Sequence, residues 1–227
     1  ILKRIADLIL EIDSISDSIK EQKEVKDLIC DGDVILTSHY SEQVAEILIE
    51  NSKTKKFKVF IVESAPLFHG RIQAENLSKK GIDTAIIGDD DIYSFMSTML
   101  KVKVFLGARA ILVNGGLITY GGAYNICLSA KMLPFHIPVI IVGGTTKLTP
   151  MYSFKHELYN EYLSPDLIFG KKVKYKGDIS NIQFNNPAFD YVPPDLITMY
   201  ATNYGIINPN CLYRSFSDIY DKEDYEI

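Results

Sequence analysis

Cysteine is scarce. Cys30, Cys127 and Cys211 are odd in number and widely spaced, which excludes a disulfide framework and a zinc pattern of paired C-x-x-C units, and fits a reducing, cytoplasmic setting. Histidine is equally thin: His39, His69, His136 and His156 stand far apart with no H-x-x-x-H spacing, so the sequence predicts no metal site. Basic charge is not in excess. With 24 basic against 29 acidic residues the formal charge is -5, leaving no overall field to draw the chain onto a phosphate backbone, so nucleic acid is excluded as a direct partner. Long apolar runs are missing too, since the run from Ile137 to Val142 has strand length and falls far short of the ~20 residues that a membrane helix needs. No internal repeat, low-complexity linker or charged-then-apolar signal layout is found. Ile1 falls inside a helical pattern, and residues 1–29 read as the remnant of an N-terminal helical domain.

What is present suffices for one large core: 227 residues, 47% hydrophobic and 23% charged. From Ile1 to Ile29 the apolar residues Ile5, Leu8, Ile12, Ile15, Ile19, Val25 and Leu28 recur mostly at three- and four-residue steps, predicting one or two amphipathic helices. The turn at Asp31-Gly32-Asp33 then opens an alternation of short β-branched runs and helical segments. Strands are predicted at Val34 to Thr37, Lys58 to Val62, Asp83 to Ile87, Val102 to Leu106 and Pro138 to Val142, with helices near Ser41 to Asn51, Arg71 to Lys80, Asp90 to Leu100 and Tyr124 to Leu133. Ala110 to Val113 reads as a further strand of the same series, followed by a glycine-rich turn. Such a rhythm means βαβ units. Residues 30–227 are therefore expected to form a Rossmann-like α/β domain, a parallel sheet with helices on both faces. Ligands of such sheets gather beyond the carboxyl ends of the strands, in loops starting at Ser38, Glu63, Gly88, Gly107 and Gly143. After Pro150 the rhythm stops. The basic cluster Lys171, Lys172, Lys174 and Lys176 reads as solvated surface, and Pro193-Pro194-Asp195 as the start of an apolar helix.

The chemical motifs are weak. Gly116 and Gly121 have the separation of a phosphate loop, but Gly122 and Ala123 stand where Lys and Ser or Thr are required. Tight turns and close packing explain these glycines better. Ser41 suits a helix cap. His39 alone occupies a predicted ligand loop, without an identified partner for acid–base work. There is no G-x-S-x-G elbow, and no cysteine lies in a strand-end loop as a nucleophile.

Order adds more than the parts. Asn186-Pro187-Ala188-Phe189-Asp190, followed by Tyr191-Val192-Pro193-Pro194-Asp195-Leu196-Ile197-Thr198, resembles the C-terminal signature of a superfamily. Its members are the regulatory subunits of translation initiation factor 2B and certain sugar-phosphate isomerases. The resemblance continues through Gly107-Ala108-Arg109 to Gly116, Glu63-Ser64-Ala65-Pro66 and Val34 to Thr37, covering nearly the whole chain. The isomerases carry a cysteine where this chain has His39, an aspartate where it has Arg109, an arginine where it has Ala65, and an acidic residue and a lysine where it has Gly116 and Tyr120. These departures imply a protein without isomerase catalysis, since an arginine does not replace a carboxylate base.

Among the regulatory subunits, Ala65 and the ending Leu212-Tyr213-Arg214-Ser215-Phe216 with Ile219 to Asp224 resemble the beta type. The resemblance implies a non-catalytic scaffold and sensor in a guanine-nucleotide exchange factor, with no cofactor. Its partners would be the delta, alpha, gamma and epsilon subunits and the alpha subunit of initiation factor 2, with a homodimer left open as a state of the isolated chain. It implies a pairing surface at Phe189, Asp190, Tyr191, Pro193, Pro194, Ile197 and Tyr200, although the same residues equally well close the domain's own core. It also implies an assembly-seam pocket near Cys30, Gly32, Val34 and Lys58, and a degenerate ligand pocket at Ser38, His39, Ala65, Arg109 and Asn114. The competing expectations are an isomerase with an altered site and a sensor that binds a sugar phosphate without turning it over.

Overall fold

The β-branched runs pair into one large sheet. A computed structural model describes residues 2–152, 160–169 and 181–220 of the chain; the basic cluster at 171–176 and the end of the chain from 221 lie outside the described residues. Two helices come first, α1 (Leu2–Glu21) and α2 (Lys23–Lys26). Then follow β1 (Val34–Ser38), α3 (Glu42–Ser52), β2 (Lys58–Val62), α4 (His69–Lys79), β3 (Asp83–Ile87), α5 (Ile92–Thr98) and β4 (Val102–Gly107). The chain continues through β5 (Ala110–Leu112), β6 (Leu117–Tyr120), α6 (Ala123–Met132), β7 (Val139–Val142), β8 (Leu148–Thr149) and α7 (Asp166–Phe169). It closes with β9 (Phe189–Val192), β10 (Met199–Thr202), β11 (Gly205–Ile207) and α8 (Leu212–Ile219).

The main sheet has the order β11-β10-β7-β4-β1-β2-β3, all parallel except the β10–β11 pair. The predicted parallel α/β domain is therefore observed. After β1 the chain winds outward through β2 to β3, then returns to the other side of β1 at β4, so the winding reverses between β1 and β4. Apolar residues fill both faces. One core gathers Ile19, Val25 and Ile29 of the N-terminal segment with Ile35, Ile47, Leu48 and Ile61. The other gathers Leu36, Val104, Ile126, Ile141, Tyr200 and Phe216. Residues 19–29 thus share a core with the sheet, while Ile5 and Leu10 near the start of α1 are exposed. Asp33 locks this segment down: its Oδ2 takes the Cys30 N–H and the Lys103 ammonium, each at 2.7 Å, while Lys103 Nζ also donates to Leu28 O.

Two expectations are corrected. Ala110 to Val113 is not a further strand of the main sheet: β5 pairs antiparallel with β6, and β8 and β9 complete a separate sheet, β8-β5-β6-β9. Val113, Asn114 and Gly115 make the reversal as a three-residue hairpin loop: Gly115 N donates to Leu112 O at 2.9 Å, Gly115 takes the left-handed position with φ 87°, and Asn114 Oδ1 accepts from Gly116 N. Likewise Pro193-Pro194-Asp195 begins no α-helix, only one 3₁₀ turn. That turn (Pro194–Leu196) leads into β10, parallel to β7. A short apolar run buried on both sides has no periodicity to separate helix from strand.

Candidate functional site

A cavity of about 300 Å³ opens where the winding reverses, beyond the carboxyl ends of β1 and β4, the place where open sheets of this kind receive ligands. Three loops build it. The first follows β1 through Ser38 to Ser41, the second follows β4 through Gly107 to Arg109, and the third follows β7 and supplies Lys147. At Gly107 an added Cβ would lie 2.4 Å from Ser41 Oγ, so the missing side chain lets the end of β4 close on the cap of α3. Ser41 Oγ in turn accepts the Val44 N–H at 3.4 Å, as a helix cap.

His39 turns the first loop in the left-handed region, with φ 55°, an uncommon state for a side-chain-bearing residue. Its N–H donates to Ser64 Oγ at 2.9 Å, and Ser64, just past β2, is itself left-handed with φ 65°. The ring is buried. Nε2–H donates to Gly121 O at 2.8 Å, which leaves Nδ1 as the bare acceptor, enclosed and without a partner among the described residues. Burial lowers the pKa and outweighs the bond to Gly121, so the imidazole is neutral at pH 7. It stacks on Tyr120, ring centroids 5.0 Å apart, and meets His69 edge-on at 6.2 Å.

Two cations share the lining. Arg109 is exposed, its guanidinium 5.7 Å from the Phe189 ring centroid. Lys147 is half-buried, and its Nζ donates to Gln43 Oε1 at 2.8 Å. Burial first, and repulsion by Arg109 second, bring the Lys147 pKa down to about 8. Around them stand the hydroxyls of Ser38, Ser41, Thr119 and Tyr120, Thr119 donating to Gly107 O at 2.8 Å. Glu42 is the one carboxylate in the lining and is exposed. Such a set attracts anions and offers hydroxyls and a readily deprotonated amine.

Ser38, His39 and Arg109 of the expected pocket come together here; Ala65 and Asn114 do not line it. Ala65 N donates to Asp89 Oδ2 beyond β2. Asn114 serves its hairpin, and its Nδ2 donates to Tyr152 O and Tyr191 Oη. Lys147, Gln43, Thr119 and Tyr120 were not singled out as lining residues of this pocket. The strand pattern places the loop starting at Gly143 at a ligand end, and the fold brings its Lys147 into the same cavity as Arg109. Gly32, Val34 and Lys58 line a separate depression of about 480 Å³ at the amino ends of β1 to β3, joined by Lys55 and Lys56. Among the described residues no three of His, Cys, Asp and Glu lie close enough to hold a metal ion, and no helix is long and apolar enough to cross a membrane.

The expected pairing residues divide. Ile197 and Tyr200 are buried, and Tyr200 Oη donates to Gly115 O at 2.9 Å, so these two close the domain's own core. Phe189, Asp190, Tyr191, Pro193 and Pro194 stay partly exposed. Asp190 Oδ2 caps α6 by accepting from Gly122 N at 2.8 Å and Tyr124 N at 3.0 Å, and Tyr191 packs on Gly116, where a Cβ would lie 2.4 Å from its ring. Beside them α6 turns Tyr124, Leu128 and Met132 outward, 39%, 36% and 67% exposed at four-residue steps.

A model described as the initiation factor 2 subunit family matches residues 1–209. The translation initiation factor eIF2B subunit beta of Dictyostelium discoideum is 34% identical and that of Schizosaccharomyces pombe 37%, each over 99% of this chain and 56% of the relative. The chain thus spans about half the length of these relatives. Ribose 1,5-bisphosphate isomerase of Pyrococcus furiosus is 31% identical over 79% of this chain and 54% of its own. Among solved structures, eIF2B beta from Chaetomium thermophilum superposes with a TM-score of 0.71 at 24% identity, over 99% of this chain and 59% of that one. A chain of the tetrameric eIF2B-beta2-delta2 complex from C. thermophilum gives 0.68 at 24%, over 96% and 64%.

Proposed function

Because the chain belongs to the initiation factor 2 subunit family, we propose that it is a beta-type, non-catalytic regulatory subunit of the exchange factor that reloads initiation factor 2 with GTP. The observation that carries this is the outward apolar row Tyr124, Leu128 and Met132 on α6, continuous with Tyr124, Tyr191 and Pro193 around one depression. Obligate pairing surfaces need such an apolar field, and a lone soluble domain gains nothing from it. In this role the chain pairs with a delta-type subunit, and the pairs join an alpha dimer in the cytoplasm. That core carries the gamma and epsilon subunits, of which epsilon catalyses exchange, and holds the alpha subunit of initiation factor 2 to sense its phosphorylation. The helical segment within residues 1–29 serves as a support packed on the pairing domain at 30–227. Light scattering of the chain alone, and then mixed with a delta-type subunit, tests the pairing. A stoichiometric complex that L128E/M132E abolishes, with circular dichroism unchanged, is the expected result. A homodimer indifferent to the delta type would refute it.

A second reading rests on the cations in the cavity. Arg109 and Lys147 suit an anion, so a sugar-phosphate sensor of the same superfamily is the alternative, without turnover because His39 and Arg109 stand where the isomerases carry cysteine and aspartate. Calorimetric titration with ribose 1,5-bisphosphate distinguishes it, heat of binding supporting the sensor and none excluding that ligand.

A further inference from the structure

We infer that Lys147 is a covalent site for small carbonyl compounds that bear an anionic group, its amine forming a reversible imine inside the cavity while Arg109 holds the anion. Geometry supplies the main argument. Lys147 and Arg109 line the same cavity of about 300 Å³, at the small end of the range for ligand sites. The Lys147 amine is held at 2.8 Å by the neutral amide oxygen of Gln43 and, among the described residues, is in no ion pair. A lysine kept for structure alone is normally paired with a carboxylate or extended into water, and this one is neither. The hydroxyls of Ser38, Ser41 and Thr119 suit the oxygens of a polar ligand, and Arg109, exposed beside them, is free to meet an anion.

Electrostatics act in the same direction. With a pKa of about 8, roughly one-fifth of the Lys147 side chains carry a neutral amine at pH 7.4, against about one in a thousand for a lysine at its ordinary value. Only the neutral amine attacks a carbonyl. The nitrogen lone pair forms a C–N bond with the carbonyl carbon, the nitrogen gives up its two protons, and the carbonyl oxygen takes up two and leaves as water as the C=N bond forms. Nothing is oxidised or reduced, and hydrolysis restores the amine.

Pyridoxal 5′-phosphate is a suitable probe, since it carries an aldehyde and a phosphate. The intact chain is exposed to a substoichiometric amount, reduced with borohydride and mapped by peptide mass spectrometry, with exposed Lys79 as the internal reference. Lys147 is expected to be labelled at least about tenfold faster than Lys79, and pyridoxal, lacking the phosphate, to label it several-fold more slowly. R109Q is expected to abolish the preference for the phosphate form. Labelling of Lys147 no faster than Lys79 would overturn the covalent site. Equal rates with and without phosphate in the unaltered chain would overturn the anion subsite.

Discussion

Lys147 carries a cost that its replacement should expose. In the folded chain the amine loses its proton near pH 8, against an ordinary value of 10.5, because burial and Arg109 disfavour the ammonium. Between these values the unfolded chain binds the extra proton, so this group makes stability rise with pH. The penalty is full below about pH 8, shrinks through the window and is gone above about 10.5. The separation corresponds to about 3 kcal/mol, reduced to roughly 2 because water reaches part of the side chain. Methionine keeps the apolar stem and removes the charge, but strands the amide oxygen of Gln43, which costs about 1 kcal/mol. K147M should therefore be about 1 kcal/mol more stable than the parent at pH 7 and about 0.5 kcal/mol less stable near pH 10, where about a quarter of the penalty remains. Urea unfolding at both pH values measures this, since groups common to both chains cancel in the difference. A stability difference that stays the same at pH 7 and pH 10 would refute the argument that Lys147 is held against its charged form.

Two further outcomes test how the fold is held at the two ends of the sheet. D33A removes the acceptor for Cys30 N–H and leaves the Lys103 ammonium, 22% exposed, without its carboxylate, and should cost about 3 kcal/mol in urea unfolding. Adding K103M should recover part of that loss, whereas strict additivity would show that the pair is not coupled. D190A removes the acceptor that caps α6 from another strand. It should cost about 1–2 kcal/mol and speed hydrogen exchange at the Gly122 and Tyr124 amides, with D190N close to the parent.

The loop residues of the site were legible to different degrees. Ser38 and His39 follow a strand whose β-branched run is unmistakable, so their place beyond a carboxyl end follows from local pattern alone. Arg109 was reached through the resemblance of its segment, and the cavity contains it. Ala65 and Asn114 came by the same route, yet Ala65 is turned toward Asp89 and Asn114 is consumed by its own hairpin. A position in a motif states which loop a residue occupies, not which way that loop bends.

The sequence by itself determined the alternation of strands and helices, the parallel sheet they form and the family to which the chain belongs, because each rests on local periodicity and residue order. Tertiary structure decided the rest. The second sheet, the strand at Met199 and the burial of Tyr200 depend on what lies alongside them. So does the chemistry of Lys147. It meets Arg109 and Gln43 only because β1, β4 and β7 are neighbours in the sheet, and its proton affinity is set by the water and charge around it, which no stretch of neighbouring sequence specifies.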